Sequence, residues 1–274
     1  MEEKVDKHTA KEAQKRRHFM KQMTGLGVLG IAAAGGIWAA KDFKPEKGRL
    51  RPPGAVPEAQ YLSMCIKCGQ CLQVCPYDSI KLEDIDGKAG VGTAYIAPLE
   101  RGCYLCEAFP CVLACPTGAL DHEANVIEKV HMGMAIVVNG SACLALTNEK
   151  VTAEMVGRMY DHTKVISNQE RKNRKVERLA TDPEKVILQK ELLEKVSEQE
   201  GKSCSLCADL CPFTPDPSKA IGMVSREGGL FPEIREACVG CGACVEVCPT
   251  KVLQILPYAT YAEVYEKNKG SQDA

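Results

Sequence analysis

The sequence predicts an α+β fold built of four cysteine-anchored repeats that associate in pairs, with a helical hairpin inserted ahead of the third. Three observations predict it. Fifteen of the 16 cysteines in the 274-residue chain fall into four tight clusters, and Cys143 stands alone. Each cluster is followed by a small or branched residue and then an aliphatic one: Ser79-Ile80, Ala119-Leu120, Ala220-Ile221 and Val252-Leu253. This is the echo of one repeated unit. Finally, residues 149–202 hold no cysteine but 12 Lys or Arg and 11 Asp or Glu among many helix formers.

Taken in order, the first cluster is Cys65, Cys68, Cys71 and Cys75 followed by Pro76, and the last is Cys238, Cys241, Cys244 and Cys248 before Pro249. Both are C-x2-C-x2-C-x3-C-P runs, the spacing with which bacterial ferredoxins bind [4Fe-4S] clusters. The second (Cys103, Cys106, Cys111, Cys115, Pro116) widens one gap to four residues, and the third keeps Cys204, Cys207 and Cys211 before Pro212. Four [4Fe-4S] clusters with four thiolates each use all 16 cysteines, which assigns Cys143 as the distant ligand of the third site. Closing a loop of 60 residues instead of two adds roughly 3 kcal/mol. A structural metal site contributes on the order of 10 kcal/mol to folding and exceeds that. In two-cluster ferredoxins the cysteine before proline ligates the other cluster, so Cys75, Cys115, Cys211 and Cys248 should each cross over. The fold class is therefore tandem or nested bacterial 2[4Fe-4S] ferredoxin-like modules. Matching the two regular motifs with each other, and the two irregular ones, makes nesting the expected arrangement.

Disulfides and zinc compete for the same residues. Disulfide frameworks do not repeat this run, and a zinc ribbon separates two C-x2-C knuckles by a longer span. His8, His18, His122, His131 and His162 are surplus to the ligand count and read as surface or packing residues.

Short strands are expected at Ile80 to Leu82, Met132 to Val138, Gly222 to Ser225 and Val252 to Leu256. The second of these delivers the chain towards Cys143. Within 149–202, Met155, Val156, Met159 and Tyr160 suggest one helix. Thr181-Asp182-Pro183-Glu184 starts another, whose apolar face is Val186, Ile187, Leu192, Leu193 and Val196 and whose stop is Gly201. Arg171, Lys172, Arg174, Lys175 and Arg178 form either a solvated face or a docking patch for an acidic redox partner.

Residues 1–40 are a different kind of segment. Lys15-Arg16-Arg17-His18-Phe19-Met20-Lys21 precedes a Gly/Ala-rich apolar stretch from Met23 to Ala40, the pattern of a twin-arginine export signal. That route moves proteins already folded, which suits a cofactor assembled before export. The stretch is also long enough to serve as an uncleaved anchor. Residues 41–60 carry Pro45, Pro52, Pro53 and Pro57 and read as a linker, with the cluster domain over 61–257 and a tail at 258–274. A net charge of −1 gives no basic surface for nucleic acid, and 5% aromatic content is thin for a core of this size. Metal centres would take the place of the missing core.

With this leader, this motif order and the Met-Gly-Met-Ala-Ile-Val-Val strand ahead of an isolated cysteine, the chain resembles the MauM/NapG family of ferredoxin-type proteins. The resemblance covers the leader and 61–257. It implies a periplasmic protein with four [4Fe-4S] clusters, all 16 cysteines acting as ligands. It implies as partners a membrane-bound NapH-type polyferredoxin or quinol dehydrogenase and a periplasmic reductase or cytochrome. The NapG branch passes electrons from quinol towards nitrate reductase, and the MauM branch accompanies methylamine dehydrogenase. The 60-residue gap after Cys143 and the tail depart from the NapG pattern. No nucleotide loop, nucleophile with a base or spare metal ligand points to an enzyme. The competing readings are the iron-sulfur subunit of a molybdopterin oxidoreductase, which places its long gap in the fourth motif, and an assembly factor without turnover.

Overall fold

The computed structural model describes residues 48–85, 90–159 and 183–266, over 183–189 by the backbone alone. The chain divides into Met1–Glu46 and Lys47–Ala274, and all the described elements belong to the second unit. The twin-arginine leader and the apolar stretch to Ala40 lie outside the described residues, as does the basic group from Arg171 to Arg178.

Two similar modules succeed one another along the chain. The first contains α1 (Glu58–Met64), α2 (Gln70–Gln73), β1 (Ile80–Leu82), β2 (Ala94–Ile96) and α3 (Pro110–Leu113). β1 and β2 pair antiparallel with Ile80 opposite Ile96, and Ala55 bridges Leu120. The second begins with β3 (Gly133–Val137) and passes through helix α4 (153–159) and α5 (Pro183–Ser197). It continues through α6 (Leu206–Asp209), β4 (Ile221–Arg226), β5 (Gly229–Ile234), α7 (Ala243–Glu246) and β6 (Leu253–Pro257). β4 and β5 form the hairpin that corresponds to β1 and β2. β3 pairs antiparallel with β6, Ala135 opposite Ile255, in the place that the Ala55–Leu120 bridge holds in the first module. All four expected strands are present to within a residue or two. Met134 and Ala135 are both buried, as expected of a strand covered on two faces rather than one that alternates.

This correspondence corrects the linker reading over its described part, 48–60, and the start of the cluster domain at 61. Leu50, Arg51, Pro52 and Pro53 are buried, and the Ile96 amide donates to the Leu50 carbonyl at 2.8 Å. Residues 50–57 are thus the opening segment and turn of the first module, and α1 begins before Tyr61. The expected tail is also packed over its first part. The Tyr258 amide donates to Met132 O at 3.0 Å, and the Tyr265 hydroxyl to Ala135 O at 2.8 Å.

The apolar interior forms two clusters, one around Tyr61, Ile80, Phe109 and Leu120 and one around Met134, Val151, Leu206 and Leu253. Cysteines belong to both, so the centres they build lie inside the cores. Of the 149–202 insertion, α4 and α5 are present, and its ends are zipped together. Lys150 bridges Ser203, Val151 N donates to Lys202 O at 3.1 Å, and Gly201 N donates to Val151 O at 2.8 Å. Val156 and Val196 are buried in the second core, so the roots of the insertion pack on the body instead of projecting from it.

Arg51 shows how the first module is locked. Its guanidinium donates to both carboxylate oxygens of Glu58 at 2.9 and 2.5 Å, to Thr93 Oγ1 and to Ala94 O, and lies 4.7 Å from the Tyr61 ring centroid. Its side chain is 3% exposed. Removing one partner of a buried ion pair leaves the other uncompensated, so Arg51→Ala should lower the unfolding free energy by about 3 kcal/mol in denaturant titration. Burial alone would raise the Glu58 carboxyl, but hydrogen bonds and charge from Arg51 and the Tyr258 hydroxyl hold it below the ordinary 4.5. A depressed folded-state value stabilises the fold above the ordinary one. That contribution is lost as pH falls below about 4.5 through the folded value.

Candidate metal centres

The cysteine spacings are dictated by backbone turns. Two residues after the first cysteine of the first, second and fourth motifs the chain turns left-handed, at Lys67 (φ 61°), Leu105 (φ 49°) and Gly240 (φ 72°). The third cysteine of every motif, Cys71, Cys111, Cys207 or Cys244, then sits on a one-turn helix, α2, α3, α6 or α7. Three residues after the cysteine that precedes proline, another left-handed residue follows: Asp78 (φ 53°), Gly118 (φ 70°) and Lys251 (φ 54°). This turn folds the chain back onto the sulfur. The Ser79 amide points at Cys75 Sγ at 3.3 Å, the Leu120 amide at Cys115 Sγ at 3.4 Å, and the Thr117 and Thr250 hydroxyls lie 3.8 Å from Cys115 and Cys248. The sequence echo marks this return.

Four groups of four thiols result. Cys65, Cys68 and Cys71 line one cavity with Cys115 (site 1). Cys103, Cys106 and Cys111 lie within electrostatic reach of one another and, through Cys106 and Cys111, of Cys75 (site 2). Cys143, Cys204 and Cys207 line one cavity with Cys248 (site 3). Cys238, Cys241 and Cys244 line another with Cys211 (site 4). Each cysteine before proline crosses to the neighbouring group, as expected. The nested arrangement does not hold: first pairs with second and third with fourth, so the modules are in tandem. A signal for this was in the chain, since 27 residues separate Cys75 from Cys103 and 26 separate Cys211 from Cys238. The gap widths that suggested nesting describe the loop around one site and carry no information about which motif faces it.

The isolated Cys143 joins the third group because the insertion is closed at its base. The Lys150–Ser203 bridge brings the two sides of the 60-residue gap together. His122 contacts the Cys115 carbonyl at 2.9 Å and His131 approaches Tyr258 O, and neither ring faces a thiol group.

All 16 cysteines are free thiols. Burial pushes Cys71, Cys204 and Cys211 up to about 11 and Cys106 and Cys111 up to about 12, with neighbouring sulfurs adding to the effect. Cys103 and Cys244 are raised well above the ordinary value for the same reason. At Cys115 burial acts upward, but amides from Leu120 and Thr117 and the Thr117 hydroxyl outweigh it and lower the value. Four thiols gathered around one space, most of them buried or half-buried, with amides already pointed at a sulfur, need a cationic centre to become thiolates together. Among the described residues no three His, Cys, Asp or Glu side chains converge on the point a single ion would occupy. The thiols surround a wider space, which fits a cluster of several irons better than the close tetrahedron of zinc.

The modules join through sites 2 and 4. Cys103 N donates to Cys241 O at 2.8 Å, and Cys103 forms a parallel bridge with Gly242. Beside this contact Glu246 accepts from Gly102 N at 2.7 Å and the Tyr104 hydroxyl at 2.9 Å, and pairs with Arg101 at 3.5 Å. The sites therefore stand in the order 1, 2, 4, 3. Sequence reasoning missed Glu246, which in α7 reads as an ordinary helix acid until Gly102 and Tyr104 are folded against it.

Two segments, 64–119 and 200–253, each match a 4Fe-4S dicluster domain. A methylamine utilization ferredoxin-type protein MauM of Paracoccus denitrificans is 29% identical over 229 residues, covering 80% of this chain and 77% of that protein. A ferredoxin-type protein NapG of Escherichia coli is 38% identical over 138 residues, 50% of this chain and 59% of that one. The MauM of Methylorubrum extorquens is 38% identical over 124 residues, 44% of this chain and 56% of its own length. No solved structure matches. The two dicluster domains and the named relatives agree with the four thiol groups: the chain is similar to the MauM and NapG ferredoxin-type iron-sulfur proteins and carries four [4Fe-4S] clusters.

Proposed function

We propose that the chain is an electron-transfer protein, without catalytic turnover of its own, that relays electrons between a membrane quinol-oxidising partner of the NapH type and a periplasmic reductase or cytochrome. The ligands are Cys65, Cys68, Cys71 and Cys115; Cys75, Cys103, Cys106 and Cys111; Cys143, Cys204, Cys207 and Cys248; and Cys211, Cys238, Cys241 and Cys244. In this reading the leader exports the folded chain by the twin-arginine route and 149–202 is a helical hairpin.

The observation that carries the proposal is the unbroken run of four thiol groups through the second unit, joined across the modules by the Cys103–Cys241 hydrogen bond. When bound, each cluster supplies a one-electron redox couple. The protein's part is to hold the thiolates, aim amides at sulfur, exclude water and place buried charge such as Glu246 near the centres, the levers that set potential. No observation favours the molybdopterin-subunit reading.

Anaerobically purified protein should contain about 16 iron atoms and as much acid-labile sulfide per chain. Quinol-reduced membranes should bleach its visible absorbance. Zinc in place of iron would defeat the ligand assignment, and a full iron load that membranes fail to reduce would defeat the relay.

A further inference from the structure

The four sites differ in exposure. All four thiols of site 3 are buried, and Val156 and Val196 from the insertion lie in the core that holds them. Site 1, at the other end of the line, holds Cys68, the one cysteine of the 16 that is exposed. Its mouth is rimmed by Ile66 and Leu82, 62% and 38% exposed. Ile85 (81%) and Val91 (40%) follow on the same hairpin. Among the described residues, five of the ten exposed large hydrophobics fall between 66 and 91. Scattered apolar residues on a surface need no explanation, but Ile66 and Leu82 both stand at the mouth of a metal centre, which marks a contact site.

The position of the patch indicates the kind of partner. Arg49, at the start of the described chain, pairs at 2.6 Å with Glu83, the residue after Leu82. In sequence, seven residues (41–47) lie between the apolar stretch ending at Ala40 and Gly48. Seven residues span at most about 25 Å. In sequence, an apolar segment long enough to enter a bilayer is thus separated by seven residues from Gly48, and Gly48 adjoins Arg49, the partner of Glu83 beside Leu82.

We propose that the Ile66–Leu82 rim around Cys68 is the docking face for an integral membrane redox protein, which meets it through an apolar patch around its own redox centre. Site 1 is then the membrane-side terminus of the line. The proposal rests on the electron-transfer reading and adds where the partner sits. Docking through apolar contact also predicts weak dependence on salt, because only exposed charges are screened.

The test uses the full chain loaded with clusters, as wild type, Ile66→Glu, Leu82→Glu and, as a control elsewhere on the surface, Val126→Glu. All four should hold about 16 iron atoms and be reduced by dithionite, which needs no docking, at one rate. Reduction by native cell membranes supplied with duroquinol should slow about tenfold or more in Ile66→Glu and Leu82→Glu, since each places a charge in an apolar contact. It should be unchanged in Val126→Glu. The wild-type rate should change less than about twofold between 0.05 and 0.5 M salt. Hydrogen exchange in the presence of the same membranes should slow at 66–69 and 81–83 and stay constant at 228–231. If the rim variants are reduced as fast as wild type, or if the rate falls steeply with salt, the docking face is elsewhere and the electron-transfer reading survives. If the wild type is reduced by dithionite but by no membrane, the electron-transfer reading and this proposal fall together.

Discussion

Cys143→Ala should bring bound iron from about 16 to about 12 atoms per chain, with sulfide falling in parallel. Sixty residues separate it from the next cysteine, yet it lines one cavity with Cys204, Cys207 and Cys248. A neutral methyl in its place leaves three thiolates and one open position. The loss should be confined to site 3. Cys211, on the same motif as Cys204 and Cys207, belongs to site 4 with Cys238, Cys241 and Cys244, so that set stays complete. Cys248→Ala should give the same deficit, although it lies in the fourth motif and is separated from Cys143 by 104 residues. Nested pairing would instead group Cys248 with the first motif. Iron analysis, with electron paramagnetic resonance of the reduced protein to count the remaining centres, separates the two.

Gly240→Ala should strongly destabilise the second module. A Cβ there would stand 2.4, 2.5 and 2.7 Å from the carbonyl carbon, oxygen and nitrogen of Gly133, and its φ is +72°. All three contacts are with backbone, and the Met132 amide already donates to the Val239 carbonyl at 3.0 Å, so β3 has no slack to retreat. A left-handed alanine costs about 1 kcal/mol and forced overpacking against backbone roughly 1–3 more, so roughly 3 kcal/mol is expected. Gly69→Ala is the control. It has the same left-handed turn, φ +73°, but its nearest neighbour is Leu82 Cδ1 at 4.0 Å, so about 1 kcal/mol is expected. Denaturant unfolding of the two variants, with iron content measured alongside, should show a difference of roughly 2 kcal/mol and iron loss in Gly240→Ala alone.

The metal centres were legible in the sequence because their chemistry is local. A left-handed turn, a one-turn helix and a return onto sulfur occupy consecutive residues, so the spacing C-x2-C-x2-C-x3-C-P records them directly. The crossing of Cys75, Cys115, Cys211 and Cys248 was legible for the same reason. What failed were statements about partners distant in the chain. Residues 50–57 look like a linker because they are rich in proline and carry Arg51, and nothing nearby shows that Arg51 will be buried. Its partners include Thr93 and Ala94, more than 40 residues away. Pairing of the modules failed similarly, because regularity within a motif is not a property of the surface it meets. Glu246 and Tyr104, 142 residues apart, gave no sign of each other.

The crossing cysteines also set a timetable. As the chain grows towards its carboxyl end, site 2 has all its sulfurs once Cys111 is made, site 1 only at Cys115, site 4 at Cys244 and site 3 at Cys248. No motif can finish a centre from its own cysteines, so each module is complete only when its second half has been synthesised. A chain that stops anywhere before Cys248 is at least one thiol short at site 3. A full complement of clusters therefore certifies that synthesis has run through the last motif.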